Sequence, residues 1–295
     1  PVLAGTTLEV LDAGGQPSPR RISDVLPDAL PDLFDGDQLV LLGRYHGSEP
    51  LTFRLGGNYL GRQRTFRFRF EVDKATTQNA FVPRLWASRK IAELVHAIRQ
   101  HGANGDLQTL TASTADPKVK ELADEILRMT TEFGILTEYT AFLAREGTDL
   151  TRRDDVLAEA VRNFESRAVQ TRSGLASVNQ SINGQYQLQQ SCVNLRNGYY
   201  DAGMQRVAIA TVQQVNDRAF FRRGNQWVDG QLIGNEEPKE PERTVKFGSP
   251  EFRALAETLA AQNRQGTISL QGDILLLVNG VRVLVKGPEL AETQQ

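Results

Sequence analysis

The residues best suited to metal chemistry are three histidines and one cysteine, and their spacing argues against a metal site. His96 and His101 are five residues apart in a stretch with helical periodicity, so they do not share one helix face. His46 is distant in sequence, and Cys192 has no neighbouring histidine or lysine to favour its thiolate. We therefore expect surface or helix-end roles for the histidines, an inert thiol, and neither a metal ligand nor a cofactor-binding residue in this chain.

The carboxylates do not form a catalytic pattern either. The sequence lacks the GxxxxGK[ST] phosphate loop, the HExxH metalloprotease motif and the GxSxG nucleophile motif. Its acidic residues fall in helix caps, loops and the polar sides of strands, whereas a hydrolase needs carboxylates that converge on one point. We therefore expect no catalytic residue and no enzyme. The alternative is a surface-polymer hydrolase, or another enzyme, with a carboxylate site that the sequence does not reveal.

Two further groups of side chains could bind a ligand, but each has a simpler interpretation. An arginine stripe could hold an anionic polysaccharide, although the solvated face of a strand explains it better. An aromatic group could line a pocket, although aromatic residues inside periodic motifs usually belong to the core. The stripe consists of Arg62, Arg64, Arg67 and Arg69, and the aromatic group of Trp86, Tyr139 and Phe142.

The best candidate for a partner surface is a late aromatic hairpin. The run from Arg218 to Asp229 alternates like two strands that turn at Gly224 and Asn225. A two-stranded hairpin exposes one face unless another element covers it. The candidate surface is formed by Phe220, Phe221 and Trp227.

Two amphipathic helices are the best-specified elements. The second should have Asp116 as its N-cap, Pro117 at its first position and Gly134 as a left-handed stop. Apolar residues recur along both helices at helical spacing. They are Val119, Leu122, Ile126, Met129 and Phe133 in the second helix, and Ala87, Ile91, Leu94, Val95 and Ile98 in the first, which begins near Pro83. The following run, 135–143, has the β-branched and aromatic content of a strand.

The overall pattern predicts an α+β protein. Strands before residue 73, including the alternating 62–72 run, should form an antiparallel β-sandwich with packed helices, followed by a small β-rich α+β C-terminal domain. The segment 171–202 is rich in Asn, Gln and Ser and weak in apolar periodicity, which is typical of a connector. We expect domains at 1–170 and 203–287, this connector between them, and a tail at 288–295.

Two motifs carry a resemblance to a known family. FVPRLWASRKI at 81–91 and TEFGILTEYTAFL at 131–143 resemble the region after the von Willebrand factor A domain in VIT/VWA proteins, which include inter-alpha-trypsin inhibitor heavy chains. LPDLFDGDQLV at 30–40 is similar to another segment of the family pattern, and TRSGLASVNQS at 171–181 and RAFFRRGNQWVD at 218–229 are similar to bacterial members. The chain departs from the family pattern at Glu138, where proline is common.

The resemblance implies a non-enzymatic structural or interaction module of an extracytoplasmic adhesion or surface-matrix protein. Its partners would be upstream VIT and VWA domains of the same protein, and other surface proteins or matrix polymer. The family's divalent metal binds an Asp-x-Ser-x-Ser motif that this chain lacks, so that ion would belong to an upstream A domain. The resemblance also implies a secreted, periplasmic or cell-surface location.

Composition fits an ordinary globular chain. The 295 residues are 40% hydrophobic and 24% charged, with a net charge of −2. This balance gives no reason to expect nucleic acid as a partner. The sequence has no apolar run of the length needed to span a bilayer, so we expect no membrane span in this chain.

Overall fold

A computed structural model describes residues 1–74, 79, 81–104, 116–150, 152–190, 192–233 and 240–288. It divides the chain into two compact units, Pro1–Val82 and Pro83–Gln295. This division differs from the predicted domains at 1–170 and 203–287, because the intervening segment contains a helix with buried residues within the second unit. Of the predicted tail at 288–295, only residue 288 lies within the described part of the chain.

The first unit contains two antiparallel sheets in its described residues. In one sheet β4 lies between β1 and β5, and in the other β2 pairs with β3. Val10, Leu51 and Leu55 are buried on one face of the larger sheet. The strands are β1 (Ala4–Leu11), β2 (Ile22–Leu26), β3 (Leu42–Tyr45), β4 (Leu51–Tyr59) and β5 (Arg62–Phe70).

Strand β5 lies at the edge of its sheet and remains exposed along its whole length. The predicted alternation is present, since Phe66, Phe68 and Phe70 pair with apolar residues of β4 on one face. These three side chains are nevertheless 41%, 48% and 55% exposed. The alternation therefore gave the direction of the side chains but not their burial, which depends on what covers the sheet.

The second unit contains the helical layer. Its best-predicted helix is α2, where Asp116 accepts a hydrogen bond from the Lys118 backbone N–H and Gly134 ends the helix at φ 63°. Both capping predictions are confirmed. The helices are α1 (Phe81–Asn104), which begins at the boundary between the units, α2 (Pro117–Phe133), α3 (Arg153–Asn163), continued by a π-helical turn (Phe164–Val169), α4 (Leu175–Leu188) and α5 (Pro250–Ala261).

The predicted strand at 135–143 is wrong. Residues in this run form turns and a 3₁₀ helix at Ala141–Ala144. The cause is local: the Thr137 backbone N–H donates to Thr140 Oγ1 at 3.0 Å, and the Tyr139 backbone N–H donates to Thr137 Oγ1 at 3.2 Å. Threonine hydroxyls that bond nearby backbone groups compete with strand pairing.

The C-terminal strands form a mixed six-stranded sheet in the order β11-β13-β12-β10-β9-β8. The predicted hairpin at 218–229 is confirmed as β9–β10, and β12 and β13 form a second hairpin with Asn279 and Gly280 at positive φ in its turn. Helix α5 buries Leu255 and Leu259 in the core beside this sheet. The strands are β6 (Tyr199–Tyr200), β7 (Arg206–Val207), β8 (Val212–Val215), β9 (Arg218–Arg223), β10 (Gln226–Asp229), β11 (Arg243–Lys246), β12 (Asp273–Val278) and β13 (Val281–Lys286).

The α+β class is therefore confirmed. Antiparallel pairing dominates both units, and parallel pairing occurs where β10 meets β12 and where β11 meets β13. The face-to-face packing of two sheets as a sandwich stays a prediction.

Candidate functional site

A cluster of buried polar side chains lies where α1, the turn at 134–140, α4 and the loop residues 189–190 and 192–198 meet in the second unit. It contains two adjacent pockets that share Leu136 and Gln187 in their walls. We call them the Arg84 pocket and the Glu138 pocket. The first is lined by Arg84, Ser88, Gln190, Asn194 and Asn197 among others, and the second by Glu138, Tyr139, Gln180, Asn183 and Tyr199 among others.

Arg84 is a buried cation whose hydrogen-bond acceptors are all neutral. Its side chain lies in the first turn of α1, and the residue is 2% exposed. Nη2 donates to the Asn194 carbonyl at 3.0 Å and to the Gly134 carbonyl at 3.3 Å, and Nη1 donates to Gln214 Oε1. Within the described residues no carboxylate forms an ion pair with it. Burial lowers the pKa of Arg84 to about 10.

Asn197 supplies the remaining acceptor and leaves a donor unused. Its Oδ1 accepts from Arg84 Nη2 at 3.2 Å and from the Leu136 backbone N–H at 3.0 Å. Because both neighbours are donors, the amide can face them only with its oxygen. Its Nδ2 is buried and has no hydrogen-bond partner in the part of the chain that the structure describes, although Asn197 is only 2% exposed and lines the pocket.

A second arginine of α1 contacts the same loop. Arg89 Nη2 donates to the Gln190 carbonyl at 3.0 Å, and its buried Nε has no partner. Ser88 Oγ donates to Gln190 Oε1 at 2.6 Å. One side of α1 therefore holds the loop through hydrogen bonds from Arg84, Ser88 and Arg89.

The Glu138 pocket contains the opposite charge, and here it is compensated. The Glu138 side chain is 1% exposed and pairs with Arg167 Nη2 through Oε2 at 2.5 Å. Asn179 Nδ2 donates to Oε2 at 3.2 Å, and Asn183 Nδ2 donates to Oε1 at 3.1 Å. Burial raises the pKa of Glu138, and the amide bonds and Arg167 partly oppose this rise.

Tyr139 closes the second pocket. Its hydroxyl donates to Gln180 Oε1 at 2.8 Å, and its ring stacks on Phe164 with centroids 4.7 Å apart. Burial and the Glu138 carboxylate raise the pKa of the Tyr139 hydroxyl. A neutral phenol at this position acts as a hydrogen-bond donor within the fold.

The candidate partner surface on the hairpin is buried. Phe220 and Phe221 are 0% exposed and Trp227 is 5% exposed. Phe220 and Trp227 belong to the core that includes α5, and Trp227 Nε1 donates to the Gln271 carbonyl at 3.0 Å. The hairpin is extended into the six-stranded sheet, so the three side chains pack inside the unit and offer no free surface.

The other candidate residues lie outside the Arg84 pocket, in the core, at a helix end or on the surface. Trp86 and Phe142 are buried, which confirms the core interpretation for them, whereas Tyr139 is buried and also lines the Glu138 pocket. His101 Nε2 lies 2.7 Å from Asp116 Oδ2, a helix-end role, and this hydrogen bond lowers the pKa of Asp116. The remaining candidates differ in environment: His46 contacts Ser23, His96 is close to Gln100, Cys192 is exposed, and Arg62, Arg64, Arg67 and Arg69 are exposed. No group of three His, Cys, Asp or Glu residues that could hold a metal occurs among the described residues.

The sequence interpretation missed the residues that make the two pockets. Arg84 and Glu138 lie inside the family-like motifs, and the sequence interpretation did not identify either of them as a site residue. A usable signal existed in the segment 171–202, because Asn179 and Asn183 are four residues apart and share one face of α4. That polar face is buried against Glu138, so apolar periodicity could not reveal the helix.

Comparison with known proteins adds no relative: no family model, no curated protein and no solved structure matches this chain. Across the described helices, none combines the length and apolar character that a membrane crossing requires.

Proposed function

We propose that this chain is a non-enzymatic structural and interaction module of an extracytoplasmic protein of the VIT/VWA type. The observation that carries the proposal is the burial of its family-like motifs. Trp86, Ile91, Phe142 and Leu143 are all core residues, so the motifs serve packing. In this proposal the chain supports upstream VIT and VWA domains that bind the metal, and it contributes contact surface of its own.

The exposed phenylalanines of β5 are the surface best suited to such a contact. Phe66, Phe68 and Phe70 form an apolar row on an edge strand, whose free backbone groups can pair with another strand. Contiguous exposed aromatic side chains of this kind are typical of protein interfaces. The proposed occupant is the upstream part of the same protein.

The hydrolase alternative receives less support. Glu138 is the only carboxylate in the walls of the two described pockets, and Arg167, Asn179 and Asn183 already occupy its oxygens. Acid–base hydrolysis needs a second carboxyl group at the same place.

A direct binding measurement tests the proposal. The chain is titrated against a purified VIT–VWA fragment of a bacterial protein of this type, with the wild type compared with Phe68→Glu. We expect saturable binding that the charge on the edge strand abolishes. Leu60→Glu is the matched control, because Leu60 is 80% exposed in the β4–β5 turn. Absence of binding by the wild type, or equal loss in both variants, would contradict the proposal.

A further inference from the structure

The Arg84 pocket has an electrostatic imbalance that the proposed function does not use. A cation removed from water is costly unless an anion accompanies it. The acceptors around Arg84 are two backbone carbonyls and two side-chain amides, which carry partial charges only. Its position in the first turn of α1 adds the positive end of the helix dipole.

An unused donor faces the same space. Asn197 Nδ2 is buried without an acceptor, and the two hydrogen bonds at Oδ1 prevent the amide from turning over. Asn197 lines the same pocket and its Oδ1 bonds Arg84, so the unused N–H belongs to a residue in direct contact with the guanidinium. The charge of Arg84 and the unused donor of Asn197 would therefore both be satisfied by a negatively charged hydrogen-bond acceptor.

The pocket limits the size of that acceptor. It encloses about 270 Å³ including its open mouth, and the enclosed part has room for about one water-sized atom. Leu85, Ile135, Leu136 and Val193 contribute apolar wall, which disfavours large hydrated anions. A single water would satisfy the amide N–H but would leave the charge of Arg84 unbalanced.

We propose that the Arg84 pocket binds one small inorganic anion, of the size of chloride or bromide, between Arg84 and Asn197 Nδ2. The bound anion links α1 to the loop at 189–198, because Arg84 belongs to the helix and Asn197 to the loop. It therefore stabilises the folded second unit, and the stabilisation increases with the concentration of the anion.

The test is urea unfolding of the full chain while gluconate is exchanged for chloride at constant sodium and constant ionic strength. Gluconate is too large for the pocket. Between about 5 mM and about 300 mM chloride, the unfolding equilibrium constant of the wild type should fall about tenfold, as expected for a ligand that binds the folded state alone. A change of less than about twofold would overturn the proposal.

The matched variant is Asn197→Asp. The introduced carboxylate keeps an oxygen toward Arg84 and the Leu136 N–H, and it replaces the unused donor with a negative charge. We expect its stability to be independent of chloride. Arg253→Gln, on the exposed side of α5, removes one positive charge elsewhere and should respond like the wild type. A full chloride response in Asn197→Asp, or a lost response in Arg253→Gln, would overturn the proposal.

A second measurement covers the case in which Asn197→Asp does not fold. The NMR line of chloride should broaden in the presence of the wild-type chain, and bromide should reverse the broadening by competition. The control is Arg253→Gln, which should broaden the line equally. No broadening, or broadening that bromide leaves unchanged, contradicts a specific site.

Discussion

Two buried arginines of the second unit show opposite solutions to the same electrostatic problem. Arg218, 9% exposed, donates to the fully buried Asp229 carboxylate and to the Leu277 carbonyl at 2.7 Å. Arg84 has comparable burial but only neutral acceptors. Among the described residues, Arg218 Nε has no partner, and neither does Nδ2 of Asn197, the residue whose Oδ1 bonds Arg84. An unused donor therefore occurs in both places, and the difference lies in the charge balance.

The surroundings explain what each arrangement accomplishes. Asp229 also accepts from the Leu277 and Gln231 backbone N–H groups, so the pair is built into the join between β10 and β12. Arg84 instead connects a helix to loop carbonyls. A compensated pair fixes a sheet whatever the solvent contains, whereas an uncompensated cation makes the loop sensitive to anions.

The largest expected effect on stability comes from breaking the compensated pair of Arg218 and Asp229. Asp229→Asn leaves Arg218 as a buried cation without a carboxylate, and we expect a loss of about 3–5 kcal/mol in the free energy of unfolding. Urea unfolding measures it. Asp217→Asn is the control, because its partner Arg264 is part-exposed, and it should cost about 1 kcal/mol or less. Equal costs for the two variants would mean that burial of the pair has no energetic weight.

The next effect concerns the uncompensated arginine. Arg84→Met removes a charge that no carboxylate balances, but it also leaves buried acceptors without a donor. We expect the unpaired acceptors to dominate and to lower the free energy of unfolding by about 1–3 kcal/mol. Arg218→Met should cost more, since it strands a buried carboxylate. Parallel urea titrations compare them. If Arg84→Met proves the more damaging variant, the difference in charge balance does not govern stability.

The third prediction uses pH at the neighbouring Glu138. Its folded pKa is raised, so the folded state binds the proton more tightly than the unfolded chain does. Stability from Glu138 is therefore greatest below the unfolded pKa of about 4.3 and declines as pH rises through the folded pKa. Glu138→Gln should lack this decline. An advantage of the wild type over the variant that grows with pH would reverse the assigned sign.

The smallest effect belongs to the hydrogen-bonded pair His101 and Asp116 near the surface. The hydrogen bond from His101 lowers the pKa of Asp116, so the contribution of Asp116 is present above the unfolded pKa of about 3.9 and is lost as pH falls through the folded value. Asp116→Asn keeps a good N-cap and should cost about 1 kcal/mol or less at neutral pH. A cost that persists unchanged in acid would assign the effect to the cap alone.

Local signals explain which parts of the fold could be predicted. The ends of α2 and α5 and the two hairpin turns depend on residues adjacent in sequence, and each was predictable. The strand prediction at 135–143 was wrong because threonine hydroxyls bond the backbone of the same run, as Thr140 Oγ1 does with the Thr137 N–H. Helix α4 was not predicted because its buried face is made of amide side chains, which produce no apolar periodicity in the sequence.

The candidate site was harder to predict because its residues act through distant partners. Arg84 meets Asn194, Asn197 and Gln214, all more than 100 positions away in the sequence. No spacing rule links such residues. The missing carboxylate beside Arg84 is a property of the folded surroundings and has no sequence signature.

Diffraction from crystals of the full chain grown in bromide shows whether the Arg84 pocket binds an anion. We expect an anomalous peak within hydrogen-bonding distance of both the Arg84 guanidinium and Asn197 Nδ2. Crystals of Asn197→Asp should lack that peak. A pocket in the wild type that holds only water, with bromide found elsewhere on the surface, would contradict the claim.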